Sequence, residues 1–365
     1  MAIESQRAKK CFFSYKESTP GTPNTTAFFE GRGMMALPST EPQLESDKMK
    51  LGSGEHGTKS EIQAIWTPFS YTCDRMSELA YFLSYFQGRP YTVSPSGSLE
   101  RHELFHFGTE EMTLPSFTIE YGLGGTGNNS VIAGCTVNEF SITFSSGGNG
   151  RVEATFSGWG NRHYWNAGAI TERPAGNMNT GDNNLFDFGS EPIVNYKCCN
   201  LWVADTADHV KGDSVDFTGE NLGANLINLT TLLNSITLSG NNGATVADKA
   251  RAGGYGIVND FVRGDRSYNL EINLRKNLST LDTDAAIIAN TQRAVELLFN
   301  GKYISGTDPY AIDFFWPKVQ FIGDAQDDAS PISITLPCEV FEDTTNSAFE
   351  VFVQSQIGTA YNATI

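Results

Sequence analysis

Ala133-Gly-Cys-Thr-Val-Asn-Glu-Phe-Ser-Ile-Thr-Phe-Ser-Ser-Gly-Gly-Asn-Gly-Arg-Val-Glu-Ala-Thr-Phe-Ser-Gly158 holds two alternating segments around a glycine-rich centre. In the first, Phe140, Ile142 and Phe144 fall on one side and Glu139, Ser141 and Thr143 on the other. In the second, Val152, Ala154 and Phe156 alternate with Glu153, Thr155 and Ser157. A period of two marks strands with one buried and one solvated face. Ser146-Gly-Gly-Asn-Gly150 is a turn signal. The stretch therefore predicts an antiparallel β-hairpin.

The same reading extends in both directions. Toward the N-terminus, strands are predicted at about 116–122, 103–107 and 62–71, with a hairpin within 28–60 and a loose arm over 1–25. A short helix follows the strand at 62–71 and precedes the other two: Asp74 is its predicted cap, Met76, Leu79, Ala80 and Leu83 its buried face, and Gly88 its stop. Toward the C-terminus, residues 161–190 lose periodicity and read as a linker or surface loop. Strands follow at about 193–204, 228–239 and 267–276; in the last, Tyr268, Leu270, Ile272 and Leu274 alternate with Asn269, Glu271, Asn273 and Arg275. The glycine-rich stretch 240–266 is too long for a tight turn, which suggests a loop ordered by a partner. A second helix is predicted from Thr283 to Asn300, lined by Ile288, Val295, Leu298 and Phe299 and stopped by Gly301. Strands at 311–322, 332–342 and 348–356 complete the chain.

The two halves share an order of elements. Phe86-Gln-Gly-Arg89 parallels Phe299-Asn-Gly-Lys302, Phe117 to Gly122 parallels Phe314 to Gly323, and a Cys-x-Val occurs at Cys135 and at Cys338. Glu153 to Gly160 parallels Val351 to Gly358. Their common order predicts a diverged duplication, with an arm at 1–25, a first domain at 26–160, a linker at 161–190 and a second domain at 191–365. Asn234 to Gly243 also resembles Phe140 to Ser145 with its turn, in a different register, and reads as a shared hairpin type.

Composition narrows the function. The chain has 365 residues, 39% hydrophobic and 18% charged, with 36 Gly and 24 Phe and a net charge of −17. Such acidity argues against a simple phosphate-binding protein. No segment has the length and apolarity of a membrane span or a signal peptide. Cys11, Cys73, Cys135, Cys198, Cys199 and Cys338 lack zinc-site spacing and read as buried thiols of a reducing cytosol. Asn24, Asn128, Asn228, Asn277 and Asn362 head sequons that lack a secretory context. His56, His102, His106, His163 and His209 are too scattered to suggest a triad, and Gly122 to Gly127 lacks the ending of a phosphate loop. Asp324, Asp327 and Asp328 lack the spacing of a calcium loop. No catalytic, cofactor-binding or metal-binding residue is predicted. One regularity stands out. No Lys or Arg lies between Arg101 and Arg151 or after Lys318, while Glu103, Glu110, Glu111, Glu120 and Glu139, then Asp343 and Glu350, populate those segments. A surface that faces a polyanion without binding it would have this pattern.

Leu114-Pro-Ser-Phe-Thr-Ile-Glu-Tyr121, Ala133 to Phe144 and Val152 to Gly158 together resemble the tail-tube, or major tail, proteins of long-tailed bacteriophages (siphoviruses). The resemblance implies a mainly β fold: two tandem tail-tube-type β-sandwich domains, each flanked by one α-helix. It further implies a structural, non-enzymatic subunit of the virion tail, assembled in the host cytoplasm. Duplicated members would form stacked trimeric, pseudo-hexameric rings by self-association. The lumen would conduct phage DNA without specific binding and hold a tape-measure protein, and tail-terminator or tail-tip proteins would close the ends; no membrane partner is implied. On that reading Glu139, Glu153, Glu271, Glu339 and Glu350 are the candidate lumen-lining residues. Asn242, Arg251, Tyr255, Asp260 and Arg263 are candidates for a loop that contacts the adjacent ring. The alternative is a carbohydrate-binding or hydrolytic β-sandwich of the tail tip, with Trp159, Trp165 and Trp202 as sugar platforms in one exposed groove.

Overall fold

The computed structural model describes residues 10–364 except 25, 37–40, 47–59, 89–92, 97–98, 106–113, 123–128, 148–149, 165–185, 187–190, 192, 206–207, 212–213, 224, 245–262, 277–290, 307, 324, 328–331 and 344–345. The elements of the first half are β1 (Lys10–Lys16), β2 (Ala27–Glu30), β3 (Met34–Met35), β4 (Glu41–Ser46), β5 (Ser60–Cys73), α1 (Met76–Gln87), β6 (Val93–Ser96), β7 (Leu99–Phe105), β8 (Phe117–Gly122), β9 (Asn129–Ser145), β10 (Glu153–Gly160) and β11 (Arg162–Tyr164). The second half supplies β12 (Cys199–Ala204), β13 (Ile227–Asn228), β14 (Leu233–Asn241), β15 (Ser267–Arg275), β16 (Gln292–Ser305), β17 (Asp308–Phe321), β18 (Ala325–Asp327), β19 (Ser333–Val340) and β20 (Glu350–Ser355). The fold is mainly β and of sandwich type, as the resemblance implies.

Strand β9 belongs to two sheets. Its first half pairs with β8 and β11, and β8 continues to β1 and β2. Its second half pairs with β10 on one side and β14 on the other. That sheet runs β5–β10–β9–β14–β15–β19 in space, all antiparallel. The strand changes sheets near Gly134, whose φ of 68° suits a residue without a Cβ. A Cβ there would lie 2.2 Å from Asn161 Oδ1. Glu17 fastens this corner: its carboxylate accepts from Gly134 N (2.9 Å), Thr118 Oγ1 (2.7 Å), Ser116 Oγ (2.8 Å) and Gly21 N (2.8 Å).

One hydrophobic core draws on both halves, from Phe13 through Phe82, Ile142, Leu238 and Phe314 to Tyr361. β16 and β17 pair with each other; β12 flanks β16, β20 flanks β17, and β7 flanks β20. A smaller core of Trp202, Val215, Phe217, Leu298, Phe315 and Phe352 packs on the other side of these strands.

Three expectations change. The arm over 1–25 is shortened, because Lys10–Lys16 forms β1 between β2 and β8 and carries the fully buried Phe13. Of the predicted second helix, 283–290 lies outside the described residues and 292–300 is strand. Val295, Leu297 and Phe299 enter the main core while Ala294 and Leu298 enter the smaller one. A strand buried on both faces lacks alternation, so its apolar run imitates a helix. Consequently α1 is the one α-helix among the described residues. Its cap also differs. Arg75 occupies the N-cap without a side-chain capping bond, and the carboxylate of Glu191 accepts from Ser77 N (3.1 Å) and Ser77 Oγ (2.6 Å). The negative charge suits a helix start. Gly88 ends the helix as expected, at φ 77°.

The matched segments of the proposed duplication fall on strands at β8 and β17, β9 and β19, and β10 and β20, but Phe86-Gln87-Gly88 closes a helix and Phe299-Asn300-Gly301 lies within β16. Pairing differs too: β10 lies against β9, whereas β20 lies against β17 and β7. The other likeness has a structural counterpart. Thr143 pairs with Thr237, and each also pairs with a glutamate across its own hairpin, Glu153 and Glu271. Ser141-Ile-Thr143 and Ser235-Ile-Thr237 are thus related by a local two-fold axis through the sheet.

α1 is buried along its whole length, including Glu78. Glu78 Oε1 accepts from Arg32 N (2.6 Å), and Oε2 has no hydrogen-bond partner among the described residues. Burial, partly offset by the bonds from Arg32 and Tyr71, pushes its carboxyl up from 4.5 to about 7. Below about pH 4.5 the group is neutral in both folded and unfolded chains. Between 4.5 and 7 the unfolded chain ionises first, so stability falls as pH rises through that window. Glu78→Gln keeps an acceptor for Arg32 and cannot ionise. It is expected to match the wild type at pH 4 and to exceed it by ~2–3 kcal/mol at pH 8. Urea unfolding at the two pH values checks this; equal stability at pH 8 would refute it.

Candidate functional site

The sheet β5–β10–β9–β14–β15–β19 turns its apolar side chains inward, among them Phe156, Ile142, Leu238, Ile272 and Leu336. Its other face is largely polar, because alternation places the intervening Ser, Thr, Asn and Glu outward, with Pro337 of β19 among them. Cross-strand rows on that face run Ser157–Glu139–Asn241–Ser267, then Thr155–Ser141–Ser239–Asn269–Glu339, then Glu153–Thr143–Thr237–Glu271. A fourth row is Ser145–Ser235–Asn273–Thr335. Hydroxyls and amides bond to one another along these rows: Thr72 Oγ1 to Thr155 Oγ1 at 3.0 Å, Asn273 Nδ2 to Thr335 Oγ1 at 2.7 Å and Asn241 Nδ2 to Glu139 Oε1 at 2.7 Å. A shallow depression in the face is lined by Glu139, Ser141, Thr155, Ser239, Asn241 and Asn269.

Glu139, Glu153, Glu271 and Glu339 are all exposed on this one face, across four of its strands. Over β10, β9, β14, β15 and β19, Arg275 at a strand end is the only Lys or Arg directed there among the described residues. The arrangement offers a hydrated, hydrogen-bonding and net negative surface. Such a surface repels phosphates and, away from Arg275 at the strand end, gives them no cation to pair with.

Glu350 does not belong to it. Its side chain is fully buried, accepts from Ser347 N (3.0 Å) and lies 3.1 Å from Lys211 Nζ. The alternation between Phe349 and Val351 that suggested a polar face instead directs Glu350 toward a cover segment around Lys211. Of the loop candidates, Asn242 is also fully buried. Its Nδ2 donates to Phe86 O and Val137 O, both at 3.0 Å, and its Oδ1 accepts from Arg266 Nε at 2.7 Å. Asn242 thus fixes the base of the loop to α1 and β9, and Arg263 is buried beside it. Arg251, Tyr255 and Asp260 lie outside the described residues.

The sugar-platform arrangement is not supported, since Trp202 is buried in the smaller core and Trp165 lies outside the described residues. His102 is buried against Tyr361, with ring centroids 4.6 Å apart. The cysteines are free: Cys73, Cys135, Cys199 and Cys338 are buried, Cys11 is half-buried and Cys198 exposed. No helix of the described residues is long and apolar enough to cross a membrane. The cross-strand polar rows were not anticipated, although the Ser-x-Thr-x-Ser alternation at 235–239 carries their signal.

The model of one protein family, described as phage tail tube protein, matches residues 8–339. No curated protein sequence matches the chain. The family match spans most of the sequence, including every strand of the polar face: the chain belongs to the phage tail tube protein family.

Proposed function

We propose that the subunit self-assembles into stacked rings whose lumen is lined by the polar face carrying Glu139, Glu153, Glu271 and Glu339. The observation that carries this reading is the gathering of four carboxylates from separated strands onto one continuous, hydroxyl-rich face. A conduit for DNA needs a wetted wall that holds no phosphate, and this face has that chemistry. The role is structural and non-catalytic, in the tail of a siphovirus particle assembled in the host cytoplasm. Tape-measure protein would occupy the lumen before DNA does, and tail-terminator and tail-tip proteins would meet its ends. If the two halves are equivalent domains, three copies would complete a pseudo-hexameric ring. The loop between β14 and β15 would reach the neighbouring ring from its buried base at Asn242.

Electron cryomicroscopy of tubes assembled from the purified protein tests the proposal. Stacked trimeric rings with the four glutamates facing the axis are expected. An outward-facing β10–β9–β14–β15–β19 sheet would reject the lumen assignment, and a different number of copies per ring would reject the trimer.

A further inference from the structure

The smaller core contains polar groups that the tube wall does not explain. Glu296 on β16 and Asp313 on β17 project from the same side of their sheet as Ala294, Leu298, Ala311 and Phe315, into the space under residues 208–211 and 214–222. His209 in the covering segment completes a group whose ligand-type atoms all lie within 4.8 Å of one another. The side chains of His209 and Asp313 are fully buried, with His209 Nε2 at 3.0 Å from Asp313 Oδ2. Glu350 and Lys211 lie alongside.

We propose that His209, Glu296 and Asp313 form a binding site for one divalent transition cation, with Zn²⁺ or Mn²⁺ the fitting class. Charge is the first argument. Glu296, Asp313 and Glu350 bring three carboxyls into an apolar core, where Lys211 is the ammonium in contact with Glu350. Such a cluster is balanced either by bound protons or by a cation, and one divalent ion would serve. Buried carboxylates are otherwise paired or neutralised, and apolar residues would pack such a core at less cost.

Geometry is the second argument. The 3.0 Å nitrogen–oxygen separation is near the ~3.3 Å edge of a tetrahedron with ligands ~2.0–2.1 Å from a central Zn²⁺. Imidazole with carboxylates suits Zn²⁺ and, with added oxygen ligands, Mn²⁺. The ligands are also held by their surroundings. The His209 ring lies against Phe352 (centroids 4.7 Å apart, 9° between planes) and Phe315 (4.4 Å). Asn221 donates to Glu296 from its backbone (3.0 Å to Oε2) and its side chain (2.9 Å to Oε1), and is itself tied to Asp216. Outer partners of this kind orient ligands before metal arrives. Two atoms remain without a hydrogen-bond partner among the described residues, His209 Nδ1 and Asp313 Oδ1. The bound ion would fasten the covering segment to the β16–β17 pair and be taken up as the chain folds.

The test uses the full-length protein, expressed with Zn²⁺ and Mn²⁺ available and dialysed before elemental analysis. About one ion per chain is expected in the wild type, and chelation should lower Tm by ~5 °C, reversibly on adding ZnCl₂ or MnCl₂. Asp313→Asn should lose both the ion and the response of Tm. A wild type that holds far less than one ion per chain, with Tm indifferent to chelator and metal, overturns the proposal in favour of carboxyls that share protons. An Asp313→Asn protein that folds and keeps the same ion content also overturns it. If Asp313→Asn fails to fold, the wild-type stoichiometry and its chelator response decide alone.

Discussion

A phage carrying Glu139→Lys and Glu153→Lys is expected to yield at least ~100-fold fewer infectious particles while its subunit folds normally. Both side chains lie on the exposed polar face, away from the core, so folding should be spared. The five strands from β10 to β19 direct four glutamates and Arg275 to that face, and the two changes turn a net charge of minus three into plus one per chain. Each new ammonium can pair with a phosphate, and a stack of rings repeats the contact along the whole path. The effect of each charge reaches only ~8 Å at physiological salt, so it acts on DNA that passes close to the wall. Circular dichroism of the purified variant, particle counts by microscopy and plaque titre separate folding, assembly and delivery. Normal titre with both lysines in place would defeat the assignment of this face to the lumen.

Phe13→Ala is expected to destabilise the subunit by ~3–5 kcal/mol, the range for removing a fully buried aromatic ring. The ring packs on Phe29 at 4.9 Å, Tyr71 at 4.8 Å and Phe82 at 5.1 Å, joining β1, β2, β5 and α1. A loose N-terminal arm would instead tolerate the change without cost. Denaturant unfolding measures the difference directly, and a loss below ~1 kcal/mol would show that β1 is not part of the core.

The strands that alternate are the ones legible in the sequence. β10, β15 and the second half of β9 (139–145) each bury one face and wet the other, so their residues announce both the strand and its orientation. The acidic face could be assembled from them except for Glu350, whose flanking Phe349 and Val351 imitate the same alternation. What that pattern cannot show is that another segment, bearing Lys211, covers the outer side of the strand. β16 hides for a related reason: covered on both sides, it loses the period of two. β1 is short and flanked by polar residues, and nothing local indicates that β8, about a hundred residues later, will pair with it. His209, Glu296 and Asp313 come from three separate segments, so no spacing in the chain joins them. The local two-fold at Thr143 and Thr237 was visible as a repeated Ser-Ile-Thr, but only pairing of β9 with β14 gives the repeat its meaning.

The passage of β9 through both sheets has a mechanical consequence. Two sheets held together by side-chain packing alone can shear past each other, since dispersion contacts reform after a small slip. Here the connection is the peptide chain itself, and the crossover is clamped by the four hydrogen bonds to Glu17 and by Asn161 N to Ala133 O at 3.0 Å. Sliding one layer over the other would require stretching covalent backbone or stripping the ladders on either side of Gly134. A load applied to one layer is therefore carried into the other along a continuous tether.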